Sequence, residues 1–429
     1  MSITNAMYAG VSGLSAESGA LGVVGDNVAN TNTVGFKQSR ALFEDVLGGA
    51  AGTRDALGAG VRMARAQQIF AQGTLLTTGQ SSDLALSGDG FFVVHGTVDG
   101  LSGDFYTRAG QTSLDSTGTL VNGQGLALMG YKANADGSIG SQLGPVQVST
   151  AALAPKPTKD IDITANLDSS AAPPLAAWDP LDPSGTSNFS TSITVYDSLG
   201  AAHSLDVYFR ANGSGAWEYH TMANGAEVVG GQPGVQSEIA QGSLTFTPEG
   251  ALQDSQLMVG GTVDWNNAQP QQALNFNFGN PISAGGTGFG GTTQFASPSA
   301  VSAQGQDGYA SGALSGIQVD PSGVVNGVYT NGQKIAVAQL AIAKFASNEG
   351  LGRMGHNLWA RTRESGEPLL GAAGTGGRAS VSSGALEQSN VDIAQQFVDM
   401  ISHQRAFQAN SKTITTADEM LQNIVELKR

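Results

Sequence analysis

A seven-residue apolar beat runs through the end of this chain, from Ser389 to Arg429. Ile393, Met400, Phe407, Ile414 and Leu421 fall at intervals of seven, with Phe397, Ile401 and Ile424 in the adjacent seam. No Pro or Gly interrupts the run, and Ser389 followed by Asp392 has the spacing of a capping box. The same beat opens the chain: Met7, Leu14, Leu21 and Val28, with Val11 and Val24 beside them. Each stripe is narrow and needs a partner helix to bury it. Two such stripes at opposite ends predict a chain that leaves one place and returns to it. The stripes then form either a seam shared between copies or a two-helix hairpin inside one globule. Gly10, Gly13, Gly19, Gly22 and Gly25 interrupt the first stripe. At roughly 1 kcal/mol each, they weaken that helix by about 5 kcal/mol. Residues 1–30, and largely 390–429, are therefore expected to be mobile in the monomer and to become helical only in the polymer.

Between the two stripes the texture is that of β structure. Leu84, Leu86 and Phe91-Phe92-Val93-Val94 flank a Gly88-Asp89-Gly90 turn, and turns recur at Asp115-Ser116-Thr117-Gly118 and Asn122-Gly123. A boundary falls near 151–157. Beyond it, Ile193 and Val195, then Leu205, Val207 and Phe209, then Trp217 and Tyr219, alternate with a period of two. Leu244 with Phe246, and Leu274, Phe276 and Phe278, complete the series, which suits a sandwich or barrel. Val319-Asp320-Pro321-Ser322-Gly323 then echoes the turn at Asp115. The fold class is mainly β with terminal α: a coiled-coil-like layer of two helices followed by nested, discontinuous β domains. The expected domains are 1–30 plus 390–429 (helical, assembly), 31–83 plus 371–389 (connector), 84–150 plus 305–370 (inner β) and 155–300 (outer, inserted β).

Charge follows this division. Between Asp160 and Gln333 fifteen acidic residues face one base, Arg210, so this stretch carries nearly all of the net charge of −15. Such a block argues against nucleic acid and for a hydrated outer surface; no basic stripe exists to track phosphates. Cysteine is absent, which excludes disulfides, thiolate metal sites and Cys nucleophiles. The first basic residue is Lys37, so no charged leader region is legible and export without a cleaved signal peptide is expected. The best apolar run, Ile335 to Ala343, is far short of the roughly 20 residues of a membrane helix, and no membrane insertion is expected.

Catalytic signals fail one by one. Gly286-Thr287-Gly288-Phe289-Gly290-Gly291 matches G-x-G-x-x-G, but Pro281 precedes it, Pro298 follows, and no helical period lies between. His95, His203, His220, His356 and His403 show no ligand spacing. Asp115 and Asp320 have the positions of Asx turns rather than calcium ligands. No nucleophile–base pairing is readable. The expectation is a chain that is not an enzyme, with no catalytic residues, cofactor or metal.

Val24-Gly25-Asp26-Asn27-Val28-Ala29-Asn30-Thr31-Asn32-Thr33-Val34-Gly35-Phe36-Lys37 resembles the N-terminal signature of the bacterial flagellar rod and hook axial proteins. Gln404-Arg405-Ala406-Phe407-Gln408-Ala409-Asn410-Ser411-Lys412 and Thr416-Ala417-Asp418-Glu419-Met420-Leu421 resemble their C-terminal signature. Gly88-Asp89-Gly90-Phe91-Phe92 and Tyr106-Thr107-Arg108-Ala109-Gly110 are similar to the family's first β domain. Asn188 to Arg210, with Val195-Tyr196-Asp197-Ser198-Leu199-Gly200, is similar to the outer domain of its hook branch. The motif residues singled out are Asn27, Asn30, Thr33, Gly35, Phe36, Lys37, Gln404, Arg405, Gln408, Asn410, Asp418 and Met420. The resemblance implies a homopolymer of many copies, with the seam on Met7, Val11, Leu14, Leu21, Val24, Val28, Ile393, Phe397, Met400, Phe407, Ile414 and Leu421. It also implies export by a flagellar type III apparatus and partners in the rod, the hook cap and the hook–filament junction. The implied location is the extracellular hook, where the subunit serves a flexible universal joint for motility. The alternatives are a distal rod subunit, a surface β-sandwich adhesin, and an enzyme such as a muramidase, for which no carboxylate pair is marked.

Overall fold

The computed structural model describes residues 3–48, 57–134 and 137–427. It is mainly β, with one long helix at each end. Helix α1 spans Ile3–Ala29. It stops where Asn30 turns its amide back, Nδ2 donating to the Asp26 carbonyl at 2.9 Å, and where Thr33 Oγ1 donates to Asn30 Oδ1 at 3.1 Å. Helix α2 spans Ile393–Leu427. Its cap is Asp392, whose Oδ1 accepts from the N–H groups of Ala394 (2.9 Å) and Gln395 (3.2 Å). Ser389 instead accepts from Val391 N–H, so the expected capping box is corrected to a single-residue cap three positions later.

The stretch read as a mixed connector contains an antiparallel hairpin. Strand β1 (Ser39–Gly48) pairs with β2 (Leu57–Gln68), in register from Ser39↔Gln68 to Gly48↔Leu57 with two bulges. Both strands lie along α1.

The chain divides into two compact units. The first comprises 1–150, 315–328 and 334–429; the second comprises 151–314 and 329–333. In the first, Lys334–Lys344 is the hub of a large sheet. It runs antiparallel to Val324–Tyr329 and Ala127–Ala133 and touches Phe91–Val98 through Ile342↔Phe92. Strands from before and after the second unit thus share one ladder. Beneath them Phe91, Val93, Tyr106, Ala341, Phe345 and Trp359 form a core, with Phe70 set edge-on against Phe91 at 5.5 Å. Two short pairings carry the chain back to the helices: Ser380–Ser383 with Leu84–Ser87, and Ala385–Glu387 with Leu75–Thr77.

The second unit holds a five-stranded antiparallel meander: Phe189–Tyr196, Ala202–Gly213, Ala216–Asn224, Gln236–Phe246 and Leu252–Gly260. A smaller sheet is built on Asp160–Asp168, which pairs antiparallel with Ala300–Gln306. The alternating residues found in the sequence face inward: Val195, Leu205, Val207, Phe209, Trp217, Tyr219, Leu244 and Phe278 share one core. The inserted stretch was expected to end near 300, yet Gln306 still pairs with Ile161.

No helix follows the glycine-rich motif. Gly285, at φ 85°, closes a single 3-10 turn over Ile282–Ala284, and Gly288 N–H donates to the Asn280 carbonyl. The aspartates at turns cap their own backbones. Asp115 Oδ1 accepts from Thr117 and Thr119 N–H, and Asp320 Oδ1 from Val324 N–H. Among the described residues no cluster of His, Asp or Glu could hold a metal ion, and no helix is long and apolar enough to cross a membrane.

Candidate assembly surface

The terminal helices meet through small residues. A Cβ on Gly10 would lie 2.8 Å from Ile414 Cγ1, and one on Gly13 would lie 2.6 Å from Asn410 Nδ2. On the opposite side of α1, a Cβ on Gly19 would lie 2.7 Å from Met63 Sδ in β2. Ala16, Ala20 and Val24 are buried on α1, as is Ala417 on α2. Helix α1 is therefore held between α2 and the β1–β2 hairpin. The glycines that weaken it as an isolated helix also let these neighbours approach, an effect that propensity alone leaves out. Across the seam His403 Nδ1 lies within hydrogen-bond distance of Glu17 Oε2, at 2.6 Å.

The apolar residues singled out in the sequence differ in exposure along each helix. Met7, Leu14, Leu21 and Val28 on α1, and Met400, Ile414 and Leu421 on α2, are half-buried, and Val24 is fully buried. Ile393, Phe397, Ile401 and Phe407 remain exposed, Phe397 at 50% and Ile401 at 51%, as do Val11 and, unanticipated, Tyr8 and Val398. Ile393, Phe397 and Ile401 are spaced four apart and so share one side of α2. Met420 is also exposed and, with Ala6, Ala409 and Thr413, borders an apolar groove near the tip of the pair. Gln404, Arg405, Gln408 and Asp418 are exposed. Asn410 packs against Gly13. Ile424 lies outside the residues whose side chains are described.

The remaining motif residues gather at the root of the helices. Asn27 is buried: its Nδ2 donates to the Ser39 carbonyl (2.7 Å) and to Gln396 Oε1 (2.9 Å), while its Oδ1 accepts from Ser39 N–H (2.8 Å). One amide thus joins α1, β1 and α2 without any charge. Gly35 adopts φ 71°, and a Cβ there would lie 2.6 Å from Ala109 N, so only glycine fits this close crossing. Phe36 is buried beneath the Arg353 guanidinium, 5.7 Å from its ring centre, and Arg353 also pairs with Asp26 at 3.2 Å.

Lys37 is buried and donates to Glu387 Oε1 at 2.6 Å and to the Ala71 carbonyl at 2.8 Å. The second carboxylate oxygen of Glu387 accepts from Arg108 at 3.3 Å. Burial holds both the Lys37 ammonium and the Arg108 guanidinium below their ordinary values, and Glu387 offsets only part of that shift. Neither Glu387 nor its role was legible in the sequence; Lys37 and Arg108 were noticed only as parts of motifs.

Family sequence models match along most of the chain. They are a flagella basal body rod protein over residues 7–37, a flagellar hook protein FlgE/F/G D1 domain over 85–169, a flagellar basal body protein FlaE D2 domain over 166–309, and a flagellar basal body rod FlgEFG C-terminal domain over 382–427. The flagellar hook protein FlgE of Escherichia coli K12 is 36% identical over 427 residues, covering 97% of this chain and 98% of that one. This chain belongs to the flagellar hook protein family. Hook proteins of Brucella suis (35% over 433 residues, all of both chains) and Borreliella burgdorferi (33% over 461 residues, 98% of this chain and 99% of that one) are similar along their whole length. The crystal structure of the Helicobacter pylori flagellar hook protein FlgE2 shares the fold. Its TM-score is 0.52 over 73% of this chain and 100% of that one, at 15% identity.

Proposed function

We propose that this hook-family chain is a structural, non-catalytic subunit that polymerises through its terminal helices into the flagellar hook. The observation that carries the proposal is the apolar stripe left open beside a well-packed helix pair. Ile393, Phe397 and Ile401 near the root of α2, and separately Tyr8 and Val11 near the tip of α1, stay in water when the two helices have already satisfied each other. A residual stripe of this kind suits contact with further copies. Both readings of the heptads then hold together, with part of each stripe packed in an internal hairpin and the rest left for contact between copies.

In this account segments 1–30 and 390–429 line the inner layer of the tube wall. The chain is exported through the flagellar type III apparatus and is assembled beneath a hook cap. It connects the rod to the hook–filament junction and transmits motor torque through a flexible joint outside the cell. Electron microscopy of purified, concentrated protein tests this reading. Curved tubes are expected. Straight tubes would mark a rod subunit, and the absence of any polymer would favour a surface binding module.

A further inference from the structure

Glu387 occupies an unusual position. Its carboxylate is completely buried and takes donors from three separate segments: Lys37 Nζ (2.6 Å) and Gly73 N–H (2.9 Å) on Oε1, and Arg108 (3.3 Å) on Oε2. Its own carbonyl accepts from Gly35 N–H at 2.7 Å. Arg108 continues to the Gly88 carbonyl (2.7 Å) and lies 5.4 Å above the Phe91 ring in the β core. Three residues later Asn390 extends the same pattern. Its Oδ1 accepts from Gln38 N–H (2.8 Å), and its Nδ2 donates to the Ile69 and Ala71 carbonyls (2.9 and 3.0 Å). Asp392 then caps α2. The β body, the segment that follows the last turn of α1 and the segment that leads into the first turn of α2 are therefore joined through one carboxylate.

Two buried cations share this single anion, which is a poor arrangement for stability alone. Desolvation of buried ions commonly cancels their attraction, and the well-attested use of such groups is to select one geometry among several. An apolar filling would hold 35–38, 71–74 and 387–390 together without fixing their register. The directional bonds of Glu387 admit one register.

We propose that Glu387 is a positioning residue: with Lys37 and Arg108 it fixes the direction in which the terminal helices leave the β body, and so the geometry in which copies assemble. The second half of this statement rests on the helix pair being the polymer seam; the first half does not.

The absence of native cysteine makes the test clean. Spin labels are placed through Ser102→Cys on the β body and Ser402→Cys on α2, both exposed positions, and the distance distribution is measured by pulsed electron resonance in the free subunit. The unaltered root gives a narrow distribution. Replacing all three ionic residues (Lys37→Met, Arg108→Met, Glu387→Met) leaves no unpaired charge, so Tm stays within a few degrees while the distribution broadens about two-fold or more. Without the labels, the same triple variant forms irregular tubes or none. A narrow distribution in a folded triple variant overturns the proposal, as does a broad one in the parent. Should the triple variant fail to fold, Glu387→Gln read well below its own Tm decides by the same width, with Glu387→Asp expected to restore a narrow distribution. Because the distance is measured on the monomer, its outcome is separate from whether the parent forms tubes.

Discussion

Replacing Phe397 with alanine separates the two faces of α2. In the free subunit this ring is 50% exposed, so its outer half has no partner within the chain. A fully buried phenylalanine removes about 200 Å² from water, which leaves roughly 100 Å² for a neighbouring copy to cover. At about 25 cal/mol per Å², that half contributes about 2.5 kcal/mol to each subunit's addition. The critical concentration for polymerisation of Phe397→Ala should then rise about 60-fold. The free subunit should change little, because the truncation opens no enclosed cavity: a shift in Tm of a few degrees at most is expected. Sedimentation of polymer across a concentration series gives the first number, and circular dichroism melting gives the second. The reasoning fails if the critical concentration is unchanged, or if Tm falls steeply. In the latter case Phe397 would be a core residue of the single chain.

Three further predictions follow from other parts of the molecule. Amide hydrogen exchange on the dilute subunit should show α1 protected at its root, around Ala20 to Asn27, where Asn27 is tied to Ser39 and Gln396. Protection should fall about ten-fold or more toward Tyr8 and Val11; uniform protection or uniform exchange along α1 would contradict this. Acid should destabilise the second unit through Asp197 and Asp307. Burial raises both carboxyls. It is outweighed for Asp197 by the N–H groups of Ala201 and Leu199 with His203, and for Asp307 by Lys156 and the N–H groups of Lys159 and Asp160, so both lie below the ordinary range. A depressed folded value gives stability that is present above the unfolded value, near about pH 4, and lost as pH falls through the folded one. Asp307→Asn should therefore lower Tm at neutral pH and reduce the loss between neutral and acid solution, and an unchanged acid profile would refute the assignment. Finally, Gly13→Val should weaken the helix pair by pressing on Asn410, lowering Tm and helicity together; a raised Tm would show that propensity outweighs close approach at this position.

Legibility in the sequence followed the range of each interaction. The terminal helices were readable because a heptad repeats locally, and the second unit's core because alternate residues such as Leu205, Val207 and Phe209 face one side of a strand. The β1–β2 hairpin was missed because its apolar members, Leu42, Phe43 and Leu47 among Arg40, Glu44 and Asp45, keep no clean alternation, and bulges interrupt the register. Which heptad residues are packed and which stay exposed depends on tertiary neighbours such as the hairpin along α1, which no helical period encodes. Glu387 was invisible for a simpler reason. Within Ala385–Glu387 it looks like a surface acid, and its lysine partner stands 350 residues away. The glycines of α1 carried a local signal of weakness and a tertiary role in packing, and only the first could be read from spacing.

The central claim is that the open face of the helix pair is the surface along which copies join. Imaging the assembled tube at a resolution that shows side chains tests it most directly. The account predicts that Ile393, Phe397 and Ile401 of each subunit are covered by apolar residues of another copy, with Lys37, Arg108 and Glu387 still paired at the root. Tubes in which that face lies open to water, with copies joined through the β units alone, would contradict it.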